Sequence, residues 1–507
     1  MEKRNRVNKF ILWLLISSLF VLLAVELLSL ARWILYPFYP SISYEDSSWW
    51  PVHLETRLFY LPAPLAPLLL TIMIFAWLAI PLRKYLGGVR VRVRIGQRVI
   101  ALLGGRKTDV KKPAKSEMFG PKLSALALAC SIVLASLFVV YPYLPSLNPD
   151  GRHVGIDFVH YEEWLFEMDG GDWVKAGEYA FFTLRGRTLS LLLIFGACEI
   201  TGLSALSVLK FMPLLLVSCL ILASFYFVFE ATGNWTISSL AALLASSSYV
   251  VSVGMLGALF SNWIALVVVF LFSGLLIKAM RQRSWRWVSL TALILVSVLF
   301  THTYTWTLVM GVLATYALLL VFLKIRGEKV LWKFKALGAI AVVNIVVDAL
   351  RNWLLGSFGI AGEAAPIVRS NLALEFAGQF WSNINWALQN QVGGFYTNLP
   401  VLFLALLGAF YVCTREKPAY GYLASWLMLS SALFILGNTF VQWRVLYDLP
   451  IAVFAAFGLD SARRWLGSLI DREAKILEFV FILLVVLVNA NYGFRCARYL
   501  LEAFVFE

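Results

Sequence analysis

Apolar runs of about 17–25 residues, parted by short polar or basic segments, recur along this 507-residue chain, and that is the length a helix needs to cross the hydrocarbon of a bilayer. A single buried core cannot absorb them. Of the residues, 61% are hydrophobic and only 14% charged, with a mean hydropathy of +0.79, whereas a soluble chain carries about one-quarter charged residues and needs a polar skin. The pattern excludes a soluble enzyme, a nucleic-acid binder, a disulfide scaffold and a disordered chain. It predicts an all-α polytopic membrane protein of about 13 transmembrane helices.

Candidate spans lie at roughly 10–36, 59–81, 123–143, 188–204, 207–229, 236–254, 259–279, 286–302, 304–323, 335–351, 398–413, 420–437, 446–461 and 474–490. The formal charge of +14 does not signal nucleic acid, because the basic residues cluster between apolar runs as cytoplasmic loops do. Lys3–Lys9, 83–122, Lys278–Arg286, Lys324–Lys335, Arg415–Lys417 and Arg463–Lys475 are therefore expected on the cytoplasmic side of the cell membrane, with the amino terminus. Segments 37–58, 144–187, 352–397 and 438–445 are expected outside. The alternation fails once. Four full crossings between 188 and 279 would put Lys278 and Arg281 on the external face, so either 188–204 is re-entrant or two of these spans are one broken helix.

The amino end, MEKRNRVNKF before an apolar run, has signal-peptide polarity, but no A-x-A-like site follows and the run is long enough to span. A retained first helix is expected. The five cysteines lie mostly in apolar runs without metal-ligand spacing, as small apolar residues do. Residues 1–121 form a predicted unit of a transmembrane hairpin plus a basic loop. Within it VRVRVRIGQRVIAL (89–102) alternates with period two, which suits either a strand with its arginine face on anionic headgroups or a solvated linker. The main unit is 122–507.

Segment 146–188 breaks the composition of the chain. It holds Asp150, Asp157, Glu162, Glu163, Glu167, Asp169, Asp172 and Glu178, over a quarter of all the acids, and two of the four histidines, His153 and His160. Ile156 to Met168 is expected to form an amphipathic helix along the membrane surface, with Phe158, Trp164, Leu165 and Phe166 toward the interface and the carboxylates toward water or a cavity. If the helix reached back far enough, His153, Asp157 and His160 would share a face at i, i+4, i+7 and offer a divalent metal three ligands. Gly155 opposes that helix, so no metal is expected.

The stretch GIDFVHYEEWLFEMDGGDW resembles the first external loop of GT-C superfamily membrane glycosyltransferases, of the protein mannosyltransferase-like kind that uses polyprenyl- or dolichyl-phosphate sugars. Asp157, Tyr161 and the Gly171-Asp172-Trp173 turn occupy the places of that family's Asp, Tyr and Gly-Asp-Trp-like turn. The following RGRTLSLLLIFGACEITGLSALSVLKFMPLLL is similar to the part where the family's loop re-enters the membrane. WRVLYDLPIAVFAAFGL (443–459) resembles its late helix, which begins with an arginine at the outer surface. The resemblance runs loosely over 122–507. It implies Asp157 as catalytic base and Arg444, with Arg187 second, as ligands of the donor phosphate. It further implies Tyr161, Glu162, His302 and Tyr304 as substrate-binding residues, no cofactor beyond the lipid-phosphate sugar donor, and a glycan, lipid or protein acceptor.

The chemistry has its own logic. A guanidinium binds phosphate bidentately, and positive charge there stabilises the charge that grows on the leaving phosphate. A carboxylate removes the proton of a poor hydroxyl nucleophile, and one carboxylate suffices for inverting displacement. Blander accounts stand beside these: a lone arginine at a helix end snorkels to lipid phosphates, and an aromatic belt explains Tyr304 and Trp306. Glu199, Lys210 and Asp348, in or beside apolar runs, would equally mark an ion pathway. The alternative function is a transporter or flippase of lipid-linked glycans, which should carry repeats and paired broken helices. An oligosaccharyltransferase would need a WWDYG-like element; Trp49-Trp50 runs instead into Pro51.

Overall fold

The computed structural model describes residues 2–38, 66–86, 117–169, 172–325, 327–356, 398–415, 418–437, 439–468 and 474–504. The alternating segment 89–102 and most of 352–397 lie outside the described residues. In chain order the α-helices are α1 (Glu2–Leu35), α2 (Ala66–Leu86), α3 (Pro121–Val140), α4 (Phe158–Asp169), α5 (Trp173–Glu178), α6 (Thr188–Thr201), α7 (Ala205–Thr232), α8 (Trp235–Ala245) and α9 (Tyr249–Gly257). They continue as α10 (Phe260–Gln282), α11 (Trp285–Thr301), α12 (Thr303–Ile325), α13 (Leu331–Leu354), α14 (Leu399–Thr414), α15 (Pro418–Leu436), α16 (Thr439–Asp448), α17 (Ile451–Ser468) and α18 (Ala474–Phe504). Among the described residues eight segments are long and apolar enough to cross a membrane, among them α8 and α9 taken together, and α6, α11 and α14 are shorter apolar helices. The protein is an all-α polytopic membrane protein.

Polar contacts sort the helix ends into two groups. At one end, Ser261 of α10 meets Ser190 of α6 (2.7 Å), and Ser190 reaches the Thr301 carbonyl of α11. Arg351 of α13 donates to Thr303 of α12 there (3.0 Å). At the other end, Glu230 of α7 pairs with Arg281 and Lys278 of α10, Lys84 of α2 donates to the Arg415 carbonyl (2.6 Å), and Arg463 of α17 pairs with Glu478 of α18 (2.6 Å). Lys84, Lys278, Arg281, Arg415 and Arg463, from four of the basic clusters, belong to this second group. Lys210, early in α7, donates to the Gly151 carbonyl of the acidic segment, so α6 enters and leaves at the first end, turning at Gly202 (φ +66°). Both ends of the span expected at 188–204 therefore lie on one side of the bundle, and Lys278 and Arg281 fall with the other cations. The span at 236–254 is α8 and α9, broken at Ser246–Ser248. Cysteines placed near Asp172 and Arg464 are expected to label with an impermeant maleimide from opposite sides of the membrane; labelling from one side would refute this path.

The tightest helix crossing is α14 on α17. A Cβ at Gly408 would overlap the Phe454 carbonyl, and one at Gly458 the Leu404 carbonyl. Small residues let helix backbones approach where lipid supplies no hydrophobic drive. Gly408→Val is expected to cost more than the ~1–3 kcal/mol of ordinary overpacking, since backbone cannot yield. The Gly338→Ala control, with open space around it, should melt in detergent as the wild type does. Residues 1–121 join the bundle through α1, where Asn491 of α18 donates to the Glu26 carbonyl (3.0 Å) and carboxylate, and through α2 beside α14 and α15.

Candidate active site

Backbone pairing sets the position of Asp157. The Ile156 and Asp157 amides donate to the Leu256 and Gly257 carbonyls (2.9 and 3.0 Å) at the end of α9. That closeness needs Gly155 at φ +127°, where a Cβ would lie 2.7 Å from the Ala258 Cβ and 2.8 Å from the Met255 carbonyl oxygen. α4 therefore begins only at Phe158, and the helical face of His153, Asp157 and His160 does not form. His153 stacks on Phe158 (4.8 Å), while the exposed His160 pairs with Glu163 (3.6 Å). Among the described residues no three His, Cys, Asp or Glu gather as a metal site. Activity is expected to survive EDTA; loss with rescue by manganese or magnesium would make Asp157 a ligand.

The orientation of α4 corrects the interfacial expectation. Phe158, Tyr161, Leu165 and Met168 form its buried stripe, spaced as one helical face, and that stripe packs on the bundle rather than the membrane. Phe166 is the exception, 76% exposed. Tyr161 is fully buried. Its hydroxyl accepts from the Ser261 amide and bonds the Ser261 hydroxyl (both 2.8 Å), which pins α4 to α10. Asp172 caps α5 by accepting from the Lys175 amide (2.9 Å), and Trp173 packs edge-on against Phe195 of α6 (5.1 Å).

Two arginines lie within electrostatic reach of the carboxylate. Arg187, just before α6, lies over the Trp164 ring (5.0 Å), and Ser190 donates to its carbonyl (2.8 Å). Arg444 belongs to the short helix α16, which stops before Pro450, rather than to the start of a long span. It lies over the Tyr304 ring (5.0 Å), so both guanidiniums rest on aromatic faces. Burial raises the Asp157 pKa above the ordinary carboxylate range, and Arg187, His160 and Arg444, all within electrostatic reach, oppose the rise. The Asp157 side chain has no hydrogen bond or ion pair among the described residues. Carboxylate and guanidiniums share a site without neutralising one another.

Beneath them is a buried polar cluster. His302 sits at the turn between α11 and α12, and burial, then Arg444 and Arg187, hold its pKa well below the ordinary imidazole range. The Thr305 hydroxyl contacts His302 Nδ1 (2.8 Å), Asn262 Oδ1 (2.8 Å) and Asp448 Oδ2 (3.2 Å). Asp157, Tyr161, Arg187, His302, Tyr304 and Arg444 lie within electrostatic reach of one another as one neighbourhood. Glu162, half-buried on α4, has no such link among the described residues. Sequence reasoning missed Thr305, Asn262 and Arg351. Trp306 is not a belt residue: it is buried and donates to Asn344 Oδ1 (3.0 Å). The groups offered as an ion pathway lie apart, with Asp348 paired to Arg351 (2.8 Å), Lys210 on the Gly151 carbonyl and Glu199 exposed.

No family model matches the chain, and no curated protein matches it. Solved structures do. The chain is similar to an archaeal oligosaccharyltransferase. The apo crystal structure of the Archaeoglobus fulgidus oligosaccharyltransferase matches with a TM-score of 0.49 at 13% identity, over 76% of this chain and 56% of that one. The same organism's AglB, in complex with an inhibitory peptide and a dolichol-phosphate, matches with a TM-score of 0.47 at 13% identity, over 73% and 55%. The chain spans a little over half the length of these structures.

Proposed function

We propose that the protein is a membrane glycosyltransferase of GT-C type, moving a sugar from a polyprenyl-phosphate carrier to a hydroxyl acceptor on the external face of the cell membrane, with its amino terminus in the cytoplasm. Asp157 takes the acceptor proton, and the acceptor oxygen attacks the anomeric carbon as the bond to phosphate breaks, inverting that carbon. Arg444 and Arg187 hold the phosphate and stabilise the charge it gains. What carries this reading is one observation: a half-buried, unneutralised carboxylate stands within electrostatic reach of two arginines from distant parts of the chain. A raised pKa still leaves a base beside guanidiniums, which suits proton abstraction near neutral pH. Tyr161, with its hydroxyl committed to Ser261, positions α4 rather than touching substrate. The test uses purified protein in vesicles with radiolabelled polyprenyl-phosphate sugars. Label passing to a hydroxyl acceptor supports transfer, and labelled lipid crossing the bilayer unchanged would favour a flippase.

A further inference from the structure

The cluster around Thr305 has more acceptors than its one hydroxyl proton can serve. The Thr305 backbone amide donates to His302 Nδ1 (3.3 Å), so that nitrogen carries a lone pair and the ring proton is on Nε2. Nδ1, Asn262 Oδ1 and the Asp448 carboxyl then surround the Thr305 oxygen. All four residues are buried, Asp448 to 1% exposure. Apart from the Asn262 amide, whose orientation is interchangeable, only a protonated Asp448 carboxyl can donate to the Thr305 oxygen and free its proton for an acceptor. His302 Nε2 has no hydrogen-bond partner among the described residues and is not among the enclosed polar atoms, and Arg444 and Arg187 both lie within electrostatic reach of the ring.

We propose that Asp448 is a positioning residue: through Thr305 it holds His302 as the neutral Nε2–H tautomer, which donates a hydrogen bond to the phosphate of the lipid-linked donor. This rests on the glycosyltransferase reading. The arginines supply charge and the imidazole supplies direction, since a neutral donor adds a bond without repelling the guanidiniums. No proton leaves the ring; the bond shortens as charge grows on the leaving oxygen. Asp448 touches neither substrate nor reacting atom.

The test is ¹⁵N-histidine labelling of the full chain in detergent micelles or nanodiscs, practical because the chain has four histidines; His302→Gln assigns the ring signal. A stable Nε2–H imidazole from about pH 6 to 8 is expected, where a free imidazole would titrate. In Asp448→Leu and Thr305→Val the ring should show exchanging tautomers, and kcat should fall about 10–100-fold, less than the ~10²–10³ of an oxyanion donor lost outright, with donor KM held. Asp448→Asn, which can donate to Thr305, should retain both. If Asp448→Leu does not fold, Thr305→Val against Thr305→Ser gives the same comparison. A charged or Nδ1–H ring in the wild type, or variants with wild-type ring signals and kcat, would overturn the proposal. Failure of the wild type to transfer any sugar would instead remove the functional reading, and the ring spectrum would still decide the positioning.

Discussion

Asp157→Asn is expected to lower turnover by about 10²–10⁴ with donor affinity retained. The amide keeps the size and much of the hydrogen bonding of the carboxylate but cannot take the acceptor proton. The wild-type pH profile carries an independent signature. A base works only when ionised, and burial raises the Asp157 pKa, so activity should fall at a higher pH than an exposed aspartate would give and return as pH rises. Arg187→Gln removes a charge that holds this pKa down, which should move the acid limb further toward neutral. An Asp157→Asn enzyme with wild-type kcat would end the assignment of the base. A limb that stayed in place in Arg187→Gln would mean the arginine does not act on the carboxylate.

Arg444→Lys should weaken donor binding about tenfold, and Arg444→Ala about 100-fold, the scale of one or two charge-assisted hydrogen bonds. Lysine keeps the charge near Tyr304 but loses the planar fork that grips two phosphate oxygens. The loss should appear in donor KM or in direct titration with a polyprenyl phosphate. A guanidinium that only snorkels to headgroups predicts no change in KM for either variant. Tyr304→Leu separates the two accounts further: removing the ring beneath Arg444 (5.0 Å) should raise donor KM only if the guanidinium must be held in place.

Much of this architecture is legible in the chain because membrane insertion makes sequence a close record of structure. The length of the apolar runs determined helices, and the basic clusters determined which ends lie together, since both follow from the cost of polar groups in hydrocarbon. The acid-rich segment likewise pointed to the candidate site. Tertiary structure decided what local pattern does not encode. Four crossings or three between 188 and 279 turned on Lys210 reaching the Gly151 carbonyl, a contact across 59 positions. The start of α4 at Phe158, and with it the loss of the histidine face, followed from Gly155 lying against Ala258. Which side of α4 meets protein depended on Ser261 receiving Tyr161. The role of Thr305 had no signal at all, because a hydroxyl in an apolar run is silent until the packing of α10, α12 and α16 brings its partners within hydrogen-bond reach. Periodicity is a property of neighbours along the chain, whereas a site is a property of neighbours in space.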